Sequence, residues 1–316
     1  MNFSILLVLK DRSHYTMRLM NKWNAEKFPY KIWIADGGQD YRVELALLNK
    51  QNFENLNYEY IRYPFDATLE DFYKKMASAT MKIDTDTTLL MDNDDFIDVD
   101  GINKCVEILD DHSYCSARGL MQDMQGNNMY SLYPDSIIGD SAAERVVKQT
   151  QKFHSNWHNV ARTKYIQAMW KIIQVANPQN FRIVEQSTCY LNTVFGNSYR
   201  GDFPWMHHEY SQRIQLSSGD LGAHFPAQES WINSNYWLEE FNKLTEIVGA
   251  AISYHDQIPI EEGLKIFREC YHFKLPDLKD LLDTRISQAF DLGYNYNKID
   301  QMLQIMTDLN IEKAER

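Results

Sequence analysis

Asp92, Asp94 and Asp95 place three carboxylates within four residues at the end of the apolar run Thr87-Thr88-Leu89-Leu90-Met91. Carboxylates this close repel one another and do not enter an apolar environment together unless a cation neutralises them. A strand that stops on Asp-x-Asp, here Asp92-Asn93-Asp94, is therefore a candidate divalent-metal site. Its hard oxygen ligands favour Mg²⁺, Mn²⁺ or Ca²⁺ over softer metals. The competing reading is a solvated acidic loop. The elements that carry the cluster decide between the two.

Phe3–Leu9 is a continuous apolar run of the kind buried on both faces of a parallel sheet. It ends on Lys10-Asp11-Arg12, and residues 12–26 then put Tyr15, Leu19, Met20 and Trp23 on one helical face. Lys31–Ala35 reads as a second strand, ending on Asp36-Gly37-Gly38. A helix over 40–51, a strand over Tyr58–Tyr63 and a helix opened by the capping box Thr68-Leu69-Glu70-Asp71 follow. The acid-tipped strand comes next, then a helix carrying Ile102, Cys105, Val106 and Leu109, and a strand over Tyr114–Ala117 that continues the series. The order βαβαβαβαβ with short connections predicts an α/β fold with a mostly parallel central sheet flanked by helices. Ligands of such sheets sit outside the carboxyl ends of the strands. Lys10, Arg12, Asp36 and Asp92 all fall there, which favours the metal site over the solvated loop.

Other chemistries are excluded. Asp98-Val99-Asp100-Gly101 with Glu107 imitates part of an EF-hand, but the first ligand position would be Phe96, so Asp98 or Asp100 is expected to cap a helix instead. No G-x-G-x-x-G follows the first strand and no G-x-x-x-x-G-K-[ST] occurs, which disfavours a dinucleotide dehydrogenase or a P-loop NTPase. A net charge of −12 disfavours a nucleic-acid partner, since phosphate backbones call for a basic footprint. Cys105, Cys115, Cys189 and Cys270 lack metal-ligand spacing and read as reduced, buried thiols of a cytoplasmic protein. The first apolar run has no basic region before it and reads as a strand, not a signal peptide. No run approaches the ~20 apolar residues of a membrane span, leaving peripheral association with the inner membrane face as the alternative to a freely cytoplasmic chain.

The middle of the chain, 120–215, is less regular. Met121–Leu132 suggests a hairpin around Gln125-Gly126-Asn127-Asn128, and helices are expected over 141–153 and Thr163–Val175. Phe181–Val184 reads as a short strand, with Glu185 at its junction with a helix Ser187–Phe195 capped by Gly196. Ser217–Gly222 is turn-forming, and 216–316 reads as a helical subdomain. Its stripe Trp231, Tyr236, Trp237, Phe241, Leu244 and Val248 is expected to pack against the sheet domain rather than bind a cofactor. Self-association through these helices is a further expectation.

Taken together, Phe3–Leu9 with Lys10-Asp11-Arg12, Trp33-Ile34-Ala35-Asp36, Tyr73-Lys74-Lys75-Met76, Asp92-Asn93-Asp94-Asp95-Phe96 and Ser113–Gly119 resemble GT-A-fold nucleotide-sugar glycosyltransferases of the family-2-like, inverting kind. The resemblance runs over about 3–119, in order. Asn159-Val160-Ala161-Arg162-Thr163 and Glu185 extend it more briefly. It implies a GT-A (Rossmann-like) domain over 1–215, with a nucleotide-sugar half (1–119) and an acceptor half (120–215). It implies Asp94 on a divalent metal (Mn²⁺ or Mg²⁺), Asp92 sharing that metal or holding the ribose, and Asp36 on the nucleobase. Leu9, Lys10, Asp11, Arg12, Lys75 and Asn93 would lie near the nucleotide. His208 is the late metal-ligand candidate, with His207 as its rival, and Asp95 is the acid least expected to ligate. Glu185 would serve as base, and Trp157, His158 and Arg162 would face the acceptor. The chain departs from the pattern at Val8-Leu9, which replaces a Pro-Thr, and at Asp11, which replaces an Asn. The Gln-x-x-Arg-Trp of processive synthases is absent.

The expected function is therefore metal-dependent, inverting transfer of a sugar from a nucleotide-diphosphate sugar, UDP- or GDP-linked by preference. The acceptor would be a saccharide or lipid-linked hydroxyl in bacterial surface-polysaccharide or glycoconjugate assembly. Such a reaction grows negative charge on the departing diphosphate and needs a base for the acceptor hydroxyl. The alternatives are a sugar-nucleotide nucleotidyltransferase, whose Gly-rich basic loop is missing here, and a non-catalytic interaction module on the same fold.

Overall fold

The apolar run Phe3–Leu9 forms β1, buried along its length except for half-buried Val8. Around it, in a computed structural model describing residues 1–127, 135–153, 155–209 and 228–313, the chain alternates strand and helix. These are α1 (Ser13–Glu26), β2 (Lys31–Asp36), α2 (Tyr41–Leu48), β3 (Tyr58–Arg62), α3 (Leu69–Thr80) and β4 (Thr87–Met91). Next come β5 (Phe96–Ile97), α4 (Val99–Ile108), β6 (Tyr114–Asp123), α5 (Ala142–Gln151), β7 (Val160–Arg162), α6 (Thr163–Ala176), α7 (Phe181–Val194) and β8 (Asn197–His208). Five further α-helices complete the described chain: α8 (Gln228–Asn233), α9 (Asn235–Asp256), α10 (Ile260–Cys270), α11 (Lys279–Asp291) and α12 (Tyr296–Asp308). The sheet order is β3-β2-β1-β4-β7-β6-β8-β5. This is the α/β fold the sequence pattern predicts, with the helical C-terminal part following it.

Two compact units, interleaved in sequence, make up the chain: 1–133 with 158–166 and 200–220, and 134–157 with 167–199 and 221–316. The expected boundary at 215/216, the Ser217–Gly222 stretch and the return arm of the hairpin lie outside the described residues. Of that hairpin the first half is described. Asp123 Oδ1 accepts from the backbone N–H of Gln125 and Asn127, both at 2.9 Å.

In the first unit β3, β2, β1 and β4 are parallel, and the register pairs Leu9 with Asp36 and Leu7 with Met91. Their carboxyl ends are thus level, which sets Lys10–Arg12, Asp36 and Asp92 along one edge. Local sequence chemistry starts the flanking helices as anticipated. Thr68 and Asp71 form a reciprocal capping box on α3, and Asp98 Oδ1 accepts from Gly101 N–H at 2.7 Å to cap α4. A Cβ on Gly101 would meet the Pro204 carbonyl oxygen at 2.1 Å, so only glycine lets α4 pass this close to β8.

The parallel series stops at β4, one strand earlier than the sequence reading. The neighbour of β4 is β7, three residues long and antiparallel, and Tyr114–Ala117 belongs to the longer β6, antiparallel to β7. So short a strand, running directly into α6, has no periodicity of its own to read. A second correction concerns Phe181–Val184, which opens α7. Asn180 Oδ1 caps it by accepting from Arg182 N–H at 2.9 Å, and helix packing overrides the β-branched composition. The helix then ends on Phe195 with right-handed helical dihedrals, so Gly196 is not the C-cap.

In the second unit the aromatic stripe packs among helices. The Trp237 and Phe241 rings stack at 4.7 Å, and Phe241 meets Tyr271 at 4.9 Å. All four cysteines are buried and free. Among the described residues no helix is long and apolar enough to cross a membrane.

Among the described residues of this unit, Lys274 is an amine pushed far from its ordinary range. Its Nζ lies 3.7 Å from the Phe153 ring centroid. Burial pushes it down to about 7, against the opposing influence of Cys189 and Glu185. An unfolded lysine keeps its proton to about pH 10. Between pH 7 and about 10 the unfolded chain therefore binds more protons and stability rises with pH, whereas below 7 the penalty is complete. Lys274→Met is expected to raise the melting temperature more at pH 6 than at pH 9. The side chain keeps partial exposure, so the gain is smaller than full burial would give. Equal gains in scans at the two pH values would refute the assignment.

Candidate functional site

At the end of β4, Asn93, Asp94 and Asp95 are 2%, 6% and 1% exposed, and only Asp92 reaches solvent freely, at 44% of its side chain. This is not a solvated loop. Burial and the charges of Asp92 and Asp95 push Asp94 up to about 6, against the pull of Arg12. Arg12 Nη1 lies 2.8 Å from Asp94 Oδ2. Asp11 and Arg12 both take left-handed backbone (φ 55° and 54°), which turns the chain sharply off β1 and brings that guanidinium to the acids. Asn93 Nδ2 donates to Thr16 Oγ1 at 2.9 Å and tethers the cluster to α1.

Asp95, the acid given no role by the sequence, is the one between two histidines. His208 Nδ1 stands 2.6 Å from its Oδ1, and that bond raises the imidazole's pKa above its ordinary value. His158 Nε2 lies 3.8 Å from Asp95 Oδ2 and 3.9 Å from Asp92 Oδ2. The other ring nitrogen, Nδ1, is 3.0 Å from the Leu90 carbonyl oxygen, which can only accept. The proton of a neutral ring therefore sits on Nδ1, and Nε2 presents a lone pair toward two carboxylates. The two late histidines of β8 are placed differently. His207 pairs with Phe96 across β5, and it is His208 that contacts Asp95.

The fit to a divalent cation rests on what the cluster leaves unmet. Asp95 Oδ2 and Asn93 Oδ1 are buried without a hydrogen-bond partner among the described residues, a costly state for acceptors in a low-dielectric site. Three like charges and two orphaned oxygens are the donor set a hard cation satisfies. Among the described residues no group of three or more histidine, cysteine or acidic side chains stands in an arrangement that could hold a metal ion, so the fit rests on these unmet oxygens alone.

The remaining expected residues divide. Asp36, 2% exposed, accepts from Gly38 N–H (2.8 Å), the Tyr60 hydroxyl (2.7 Å) and Arg62 Nη1 (2.8 Å) at the carboxyl end of β2. Asp11 Oδ1 accepts from Gln39 N–H at 2.6 Å, and Lys10 Nζ lies 5.3 Å from the Phe65 ring centroid. Lys75 is buried, paired with Asp66, and donates to the Leu9 carbonyl at 2.9 Å. Its ammonium is thus committed to holding the end of β1, which corrects the expectation of a nucleotide contact. Arg162 donates to the carbonyls of Tyr114 (3.0 Å), Leu109 (2.7 Å) and Asp111 (3.2 Å), binding β7 to its neighbours instead of facing an acceptor. Trp157 lies in the second unit, edge-on to Trp170 at 5.7 Å and beside Phe181 at 5.5 Å. Glu185 is half-buried in the second turn of α7, past the helix N-terminus where the sequence reading put it. The helix dipole is correspondingly weaker there.

No family model matches the sequence, and no curated protein matches it. Solved structures do. S. aureus TarS 1–349 in complex with UDP-GlcNAc superposes with a TM-score of 0.55 at 12% identity, covering 98% of this chain and 80% of that one. The same protein with UDP gives 0.52 at 12% identity over 98% and 80%. GalNAc-T7 with UDP, GalNAc and Mn²⁺ gives 0.53 at 12% identity over 99% of this chain and 55% of that one. At such identities the likeness shows the fold, and that fold is the GT-A arrangement.

Proposed function

We propose that the chain is a nucleotide-sugar glycosyltransferase whose donor diphosphate is handled at the carboxyl end of β4. The observation that carries this reading is the buried acid cluster with its orphaned Asp95 oxygen, set where a doubly wound sheet binds ligands. Fold neighbours solved with UDP-GlcNAc or UDP support a nucleotide-sugar donor.

Asp92, Asp94 and His208 are assigned to a divalent cation, Mn²⁺ or Mg²⁺. When bound there, it would neutralise the charge that develops on a departing diphosphate. Asp95 orients His208 through its Oδ1 on the ring Nδ1, as a carboxylate behind a ligating ring does, while its orphaned Oδ2 is left for the cation. Arg12, already at Asp94, adds a positive charge at the strand edge where the phosphates would lie. Asp36, with one of about four lone-pair positions left after its three bonds, is assigned to an N–H of the nucleobase. Glu185 is assigned to the proton of the acceptor hydroxyl, as an inverting displacement demands. The reading is tested by release of nucleoside diphosphate from UDP-, GDP-, CDP- and dTDP-sugars with Mn²⁺, in the wild type and in Asp94→Asn.

A further inference from the structure

Within the helical unit, the connection between α11 and α12 is fastened to α9 by side-chain hydrogen bonds. Asn242 Nδ2 donates to the carbonyls of Ala289 (2.7 Å) and Gly293 (3.1 Å), and Glu246 Oε1 accepts from Asn295 N–H (2.7 Å). Gly293 turns the chain out of α11 with a φ of 76°, a conformation open to glycine at little cost. Lys298, in the first turn of α12, donates to the Ala176 carbonyl at the end of α6, 2.9 Å away. These ties hold the floor of an open, shallow groove of about 660 Å³. That lies within the size range of small-molecule sites, about 300–1,000 Å³, and far exceeds what a single ion fills.

The lining is mixed in a telling way. Lys243 and Lys298 bring two ammonium groups and Glu239 and Glu246 two carboxylates, with Lys243 also paired to the buried Glu240 at 2.6 Å, so the walls present both signs of charge. An inorganic anion would meet the carboxylates and a metal ion the ammonium groups. An apolar peptide would find Leu292 as the one aliphatic side chain among the lining residues. A neutral, hydroxyl-rich ligand satisfies both signs at once. Each hydroxyl donates to a carboxylate or amide oxygen and accepts from an ammonium or amide N–H. Tyr296, 47% exposed, adds an aromatic face against which the C–H side of a sugar ring can lie. Because the floor is already tied in place, little ordering cost is added on binding.

We propose that this groove is a saccharide-binding site for a neutral, hydroxyl-rich chain. Its assignment to the acceptor of the transfer rests on the glycosyltransferase reading; saccharide binding as such does not. The full chain is titrated by calorimetry with cellotetraose, chitotetraose and maltotetraose. At least one is expected to bind, and Tyr296→Ala and Glu239→Gln each to weaken it by about tenfold or more, with melting temperature and UDP binding as in the wild type. Binding lost in these variants while UDP binding persists places the saccharide in this groove. Saccharide binding in a protein that turns over no donor removes the acceptor assignment and leaves the site. Failure of all three to bind, binding unchanged in both variants, or displacement by inorganic phosphate would overturn the proposal.

Discussion

Asp94→Asn is expected to lower metal-dependent donor turnover by about 10²- to 10³-fold while leaving the metal-free protein as stable as the wild type or more so. The activity loss follows from removing one anionic ligand from the group assigned to offset charge on the leaving diphosphate, an electrostatic contribution of about that size. The stability outcome follows from the repulsion inside the cluster. Burial and the charges of Asp92 and Asp95 already push Asp94 up to about 6, so at neutral pH its ionised form is held against a penalty that the amide relieves. The opposing loss is the contact with Arg12, whose side chain is 27% exposed. A partly solvated ion pair of this kind contributes about 1 kcal/mol or less. Turnover assays paired with melting scans in chelator check both halves. A variant that loses activity and unfolds together would show Asp94 to be a structural residue.

Glu185→Gln is expected to cut transfer by about 10²- to 10⁴-fold through kcat, with donor KM and UDP binding nearly unchanged. Glutamine matches glutamate in size and helix propensity, and position 185 is half-buried inside α7, so the helix persists. The charge of Glu185 also acts on Lys274, and its loss should lower that amine's pKa further. A normal rate would remove Glu185 from the chemistry. Joint loss of folding and nucleotide binding would make it a packing residue.

The first half of the fold was legible because each of its signals is local. The unbroken apolar strands, the Thr68–Asp71 capping box and the Asp98 cap all act within a few residues of themselves. The acid cluster was legible for the same reason, since charge density at a strand end is written in consecutive letters. What could not be read are pairings made by distant segments. Asp95 gains its histidines only when β7 slots in beside β4 and β8 returns alongside β5. No short-range pattern announces a three-residue strand running into a helix. Asp66, the buried partner of Lys75, follows Pro64 in a stretch without periodicity, and so Lys75 looked like a ligand contact when it is a brace for β1. Phe181–Val184 was misread for the opposite reason. Its β-branched composition is a strong local signal that helix packing overrules.

The most direct test of the account is calorimetric titration of UDP into the metal-free and the Mn²⁺-loaded chain. A donor site built on Asp92, Asp94 and His208 predicts that Mn²⁺ tightens UDP binding by about tenfold or more, the reciprocal coupling of two ligands sharing one site, and that Asp94→Asn removes the difference. Equal UDP affinity with and without the cation, or metal-dependent binding that survives Asp94→Asn, would contradict it.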